Sequence, residues 1–144
     1  MSKTNSNRSS PARKRPTAKA NIKNTVAAIL LKNGRFLVEK RSSDDDHDPG
    51  FIAIPGGHVE KGESFNGALK REMKEELGVQ LLETKRLHIG LHTTTSGERN
   101  RIHYFRVTRW KGRIVSHEAE KVYWETDASS LTAPVDRKAV KQVL

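Results

Sequence analysis

The stretch PGGHVEKGESFNGALKREMKEELGV occupies residues 55–79. Ser64 offers an N-cap oxygen and Gly78 a residue that tolerates left-handed φ, so FNGALKREMKEEL between them is predicted to be a helix over 65–77. On an ideal helical wheel with Glu72 at the origin, Glu75 falls at about 300° and Glu76 at about 40°, among Phe65, Ala68 and Leu69. Three carboxylates therefore share a face with apolar side chains, while Lys70, Arg71 and Lys74 fall largely on the other side. Glu72 and Glu76 form an i,i+4 like-charge pair, which costs an isolated helix a few tenths of a kcal/mol (~0.2–0.5) and more when partly buried. Clustered hard oxygen donors call for a hard divalent cation, and an open carboxylate site suits Mg²⁺ bridging to substrate phosphates. The glycines ahead of the helix let backbone approach a ligand closely. No Gly-Lys-Ser/Thr follows, so this is not a P-loop, and the Gly-x-Gly-x-x-Gly dinucleotide fingerprint is absent. Taken alone, these residues also fit a turn followed by a solvated charged helix.

Outward from the helix the pattern becomes extended. Thr25–Leu31 (TVAAILL) and Arg35–Lys40 (RFLVEK) read as strands joined by an Asn33-Gly34 hairpin turn. Phe51–Ile54 (FIAI) is a brief strand after the polar loop Ser42–Gly50. Leu82–Thr94 and Arg101–Arg109 read as strands around SGERN, and Val122–Glu125 as a further short strand. Ala128–Leu131 and Val135–Leu144 read as short helical pieces. Strands on both sides of one strong helix, without regular βαβ repetition, predict a mixed-sheet α/β (α+β) sandwich.

The chain of 144 residues has the size of one domain. It carries 27 Lys+Arg against 17 Asp+Glu, a formal net charge of +10. Residues 1–24 hold seven of those basic side chains and no acid, with Met1 and Ile22 their only large apolar residues. The reading is a disordered basic tail at 1–24 and a folded domain at 25–144. The ArgLysArgPro run at 13–16 suits nucleic-acid contact or an organellar or nuclear address, against the simpler reading of a solvated tail. No apolar run reaches the ~18 residues of a membrane span, and the first residues show no secretory h-region, so a soluble, cytoplasmic protein is expected. With no cysteine, disulfides, thiolate zinc sites and cysteine nucleophiles are excluded.

Other constellations are weaker. Asp44, Asp46 and Asp48 alternate like a calcium loop, but Pro49 and Pro55 stand where Gly and Glu are needed, so a solvated loop is expected. His88 and His92 are four apart in a strand pattern and read as polar strand faces rather than zinc ligands. Tyr104, Phe105, Trp110, Tyr123 and Trp124 read as core or rim rather than base-stacking platforms.

Gly57, five residues, Glu63, seven residues, Arg71-Glu72, Met73, Lys74, Glu75-Glu76, Leu77, Gly78 and Val79 match every fixed position of the Nudix box, and the chain over about residues 24–144 resembles the Nudix hydrolases. The resemblance implies an α/β/α sandwich with a mixed sheet and hydrolysis of a nucleoside diphosphate linked to another group. It implies Glu72, Glu75 and Glu76 as Mg²⁺ ligands, Mn²⁺ being a substitute, with the Gly56 carbonyl as a further ligand. Glu63 and Arg71 are implied to pair and fix the loop, with Gly57 and Gly78 as structural positions of the box. A distal acid, Glu118 or Glu120, is implied to complete the metal site or act as base, with a box glutamate, Glu72 or Glu75, as the other candidate base; spacing leaves the choice open. Arg41 resembles a phosphate-contacting arginine, and Lys40 shares that candidacy. The residues Thr93, Thr94, Thr95 and Ser96 stand where ADP-ribose and dinucleoside polyphosphate hydrolases carry Pro and Tyr signatures. By elimination the chain looks most like the MutT group, which releases pyrophosphate from nucleoside triphosphates, oxidised purines included. There Asp136 resembles a purine-reading position, and a helix first-turn acid is the competing reading. The alternative is an RNA 5′-end pyrophosphohydrolase or a nucleic-acid-binding Nudix module that uses the tail.

Overall fold

A computed structural model describes residues 21–144. The tail expected at 1–24 lies, except for its last four residues, outside the described residues. Strand β1 runs Ile22–Lys32, β2 Arg35–Lys40, β3 Ile52–Ala53 and β4 Gly56–His58. Helix α1 runs Phe65–Leu77, followed by β5 Gln80–Thr93, β6 Arg99–Lys111 and β7 Lys121–Glu125. A 3₁₀ turn at Ala128–Ser130 and helix α2, Pro134–Lys141, close the order. Among the described residues no helix is long and apolar enough to cross a membrane.

The sheet order is β3-β2-β1-β6-β5, with β4 also paired to β1 and β7 to β2. β1 lies parallel to β6 from Ile22↔Arg99 to Leu30↔Val107, and the other pairings are antiparallel. The expected hairpin turn is present, with Asn33 at φ 53° and Gly34 at φ 75°. β1 is buried on both faces, which is why TVAAILL reads as an unbroken apolar run rather than an alternating one. Val26, Ala28 and Leu30 pack with Ala68, Leu69, Met73 and Leu77 of α1. Ala27 and Ile29 pack on the opposite face with Ala139 and Val140 of α2. One helix on each face of a mixed sheet is the expected α/β/α sandwich.

Two expectations change. Among the described residues β1 already starts at Ile22, three residues before the expected boundary, and Asn24 is engaged: it pairs with Arg101 and its carbonyl accepts from Val59 N at 3.0 Å. The glycine-rich loop contains strand β4, whose Gly56 and Gly57 pair with Ala27 and Val26. β1 and β2 hold each other only at Leu31↔Phe36 and Lys32↔Arg35. Beyond that hairpin they splay, and the segment 52–58 fills the gap by pairing first with β2 and then with β1. That splay opens a cleft.

Candidate active site

The cleft has a volume of about 310 Å³, and its lining includes Glu72, Glu76, Glu118 and Asp136. α1 supplies the first two of these acids. Its N-terminus is capped as expected, with Ser64 accepting from Gly67 N at 2.9 Å, and Gly78 at φ 72° ends it by donating to the Lys74 carbonyl. Gly57 lies against the acids so closely that a Cβ there would sit 2.1 Å from the Glu72 carboxyl carbon. Any side chain at this position would push the Glu72 carboxylate out of its place.

Glu118 reaches the site through backbone bonds at the end of α1. Val115 N donates to the Leu77 carbonyl at 3.0 Å and His117 N to the Glu76 carbonyl at 2.9 Å. The segment before β7 is thereby laid over the helix terminus, satisfying carbonyls that have no partner within the helix. Glu120 goes elsewhere: it is not in the cleft lining, and its side chain pairs with Lys40 at 3.5 Å, both partly exposed. Alternation along β2 explains the division, since Glu39 and Arg41 point to one side and Lys40 to the other. Lys40 and Glu120 are therefore placed away from the acidic cluster.

Glu39 was missed by sequence reasoning, because a lone acid ending a strand usually faces solvent. It is 5% exposed and lies against Glu76. Burial, followed by the charges of Glu39, Glu72 and Glu118, pushes the Glu76 carboxyl up to about 11. Burial likewise raises Glu39 to about 7, with Arg41 opposing, and Glu72 is raised by burial against the pull of Arg71. Glu76 Oε1 is buried without a hydrogen-bond donor. An orphaned carboxylate oxygen among three further acids fits a divalent cation, which supplies the missing positive charge. Glu75, expected as a third ligand, is not in the cleft lining; its half-exposed side chain lies 3.3 Å from Arg71 Nη1.

Arg71 reaches round the helix further than the wheel suggested. It donates to Glu63 at 2.7 and 2.9 Å, to Glu72 at 3.0 Å and to the His58 carbonyl at 2.9 Å. Glu63 is held at about 2 by Arg71 and by the Glu60 amide. The implied Glu63–Arg71 pair is thus formed, and it straps the loop, β4 and the acidic face together. Arg41 lines the cleft and donates to both oxygens of Asp45 at 3.1 Å and to Glu39 at 3.4 Å.

Asp136, also in the cleft lining, is buried. It accepts from the Tyr104 hydroxyl and from Ile54 N, and burial raises its pKa. The aromatic residues singled out in the sequence stand outside the cleft: Tyr104 and Phe105 are core, and Trp110 stacks on Trp124. Phe51 lines the cleft instead. The aspartate loop is not simply solvated. Asp48 is buried and accepts from Thr95 N at 2.8 Å, Thr95 Oγ1 at 3.0 Å and His92 Nε2 at 2.9 Å, clipping the loop to the β5–β6 turn.

Comparison with known proteins agrees with this architecture. The NUDIX domain family matches residues 22–142. A CTP pyrophosphohydrolase of Escherichia coli K12 is 32% identical over 111 residues, covering 76% of this chain and 80% of that protein. An 8-oxo-dGTP diphosphatase of Buchnera aphidicola is 29% identical over 101 residues, covering 70% and 75% of the two chains. The crystal structure of a MutT NUDIX hydrolase from Burkholderia pseudomallei superposes with a TM-score of 0.73 at 26% identity, over 85% of this chain and 98% of that one. With the box residues gathered around one cleft and the match running through nearly all the described residues, the chain belongs to the Nudix family as a MutT-like hydrolase.

Proposed function

We propose that this enzyme is a Mg²⁺-dependent pyrophosphohydrolase that converts a nucleoside triphosphate, oxidised purine forms such as 8-oxo-dGTP included, to the monophosphate and pyrophosphate. The observation that carries the reading is the orphaned Glu76 Oε1 amid Glu39, Glu72 and Glu118, in a cleft that Asp136 also lines. Glu72, Glu75, Glu76 and the Gly56 carbonyl would hold Mg²⁺, or Mn²⁺ in its place. When bound, the cation neutralises the phosphates and makes a water more acidic.

The residues of the chain do the rest. Arg41 contacts phosphate, exchanging part of its bond to Asp45 for the substrate's charge. Asp136 reads the base and Phe51 offers it an apolar wall. Glu118 accepts the proton of a water whose oxygen bonds phosphorus while the bridging P–O bond breaks and the pyrophosphate oxygen leaves with the electron pair. Support also comes from the names of the two relatives above, which act on CTP and 8-oxo-dGTP.

A panel of CTP, purine triphosphates, 8-oxo-dGTP, ADP-ribose, dinucleoside polyphosphates and capped RNA, assayed with Mg²⁺, tests this reading. Pyrophosphate release from triphosphates is expected. Turnover of ADP-ribose, dinucleotides or capped RNA alone would overturn it.

A further inference from the structure

Three side chains from three separate segments converge on the same cleft: His47 from the loop after β2, His58 from β4 and Glu98 from the β5–β6 turn. One potential ligand atom from each lies within 4.8 Å of the others. His58 Nε2 is 2.7 Å from Glu98 Oε1, and His47 Nε2 is 3.9 Å from Glu98 Oε2. The set is chemically unlike the acids of α1. Two imidazoles and one carboxylate are the borderline donors that favour Zn²⁺ and its neighbours over Mg²⁺, and three protein ligands leave a position open to the cleft.

The ligands are also braced from behind, as metal ligands generally are. His47 Nδ1 bonds Ser96 Oγ at 3.1 Å, which turns Nε2 toward Glu98. Ser96 N donates to the His47 carbonyl at 3.2 Å, tying the two loops together. Glu98 N donates to Thr94 Oγ1 at 2.9 Å, and the Glu98 carboxylate is largely buried. Lys23 Nζ, 3.3 Å from Glu98 Oε2, occupies part of the position a cation would take, but its side chain is 61% exposed and free to swing into solvent.

We propose that His47, His58 and Glu98 form a second metal site, selective for Zn²⁺-class transition ions and separate from the Mg²⁺ carboxylates. The ion would staple the loop carrying Arg41 and Asp45 to the β5–β6 turn.

The test is titration of the full-length protein with Co²⁺, a spectroscopic stand-in for Zn²⁺, in a large excess of Mg²⁺. One equivalent is expected to bind with visible d–d bands that Zn²⁺ abolishes. Removing a ligand should cost at least what an outer partner does, so His58→Ala and Glu98→Gln should each weaken binding about 10–100-fold. His47→Gln, on an exposed loop, serves if either variant fails to fold. Lys23→Ala should tighten binding, and His88→Ala should leave it unchanged. The Glu72→Gln/Glu76→Gln double variant should keep the Co²⁺ bands while losing hydrolysis, which separates this site from the proposed reaction. Absence of Co²⁺ binding in wild type, wild-type affinity in the three ligand variants, or loss of the bands in the double variant would each overturn the proposal.

Discussion

Glu39 at the end of β2 and Glu76 in the last turn of α1 bring a buried and a half-buried carboxyl group against each other, and the buried Oε1 of Glu76 has no donor. Two acids in such contact hold a proton between them or a cation beside them. Stability is sacrificed locally for a site that a divalent ion completes.

Replacing Glu76 by Gln should therefore move stability and activity in opposite directions. In chelator the variant is expected to melt a few degrees higher than wild type, on the order of 1 kcal/mol. Mg²⁺ is expected to raise the melting temperature of wild type and not that of the variant. Turnover should fall by about 10²-fold or more. Calorimetry with and without Mg²⁺, beside a steady-state assay, checks all three.

The same pair sets a pH dependence. Both carboxyl groups are raised from 4.5, Glu39 to about 7 and Glu76 to about 11. Above about pH 4.5 the unfolded chain loses these protons while the folded one keeps them, so stability falls as pH rises. The Glu39 part of the fall is complete near pH 7, and the Glu76 part continues toward 11. Below about pH 4.5 the penalty is absent, both states being protonated. Denaturant unfolding in chelator between roughly pH 5 and 8 should show the decline, and the Glu39→Gln/Glu76→Gln variant should show a smaller one, the part that the raised Glu72 and Asp136 leave. A wild-type profile that is flat or rising over that range contradicts the pairing.

Glu118 and Glu120 are separated by geometry. Glu118→Gln is expected to lower kcat by about 10²–10³-fold, since Glu118 faces Glu76 in the cleft. Glu120→Gln breaks only a partly exposed pair with Lys40 and should leave kcat within about twofold. Parallel assays at saturating Mg²⁺ decide, and equal losses in the two variants would refute the assignment.

Asp136 offers a test on the binding side. Asp136→Ala should raise KM for the preferred nucleotide about tenfold or more while changing kcat much less. It also strands the Tyr104 hydroxyl, a structural cost of about 1–3 kcal/mol. Tyr104→Phe removes that hydroxyl while keeping Asp136 and separates the two effects: its KM should stay near wild type. A KM shift of the same size in Tyr104→Phe would reduce Asp136 to a packing role.

Much of the site was legible because its signals are local. The helix limits followed from Ser64 and Gly78, since a cap acts through neighbours a few bonds away. The acidic face followed from helical periodicity, and the hairpin from Asn33-Gly34. Arg71 was placed on the wrong side because a wheel records where a Cβ starts, while a guanidinium ends several ångströms further on. The loop at 42–50 was read as solvated because nothing near Asp48 in sequence reveals that Thr95 and His92 satisfy it. Strand β4 escaped notice because glycines carry no strand signal and its pairing is set by β1, some thirty residues earlier.

The sequence alone determined the family, the helix that carries the acids and the hard-oxygen chemistry they favour, because these rest on residue type at short, fixed spacing. Tertiary structure decided which acids meet. It chose Glu118 over Glu120 through two backbone bonds to the end of α1 and brought in Glu39 through the splay of β1 from β2. It also gathered His47, His58 and Glu98 from segments with no common sequence pattern. Such meetings depend on how distant strands pair, and burial then turns ordinary glutamates into a site that calls for a cation.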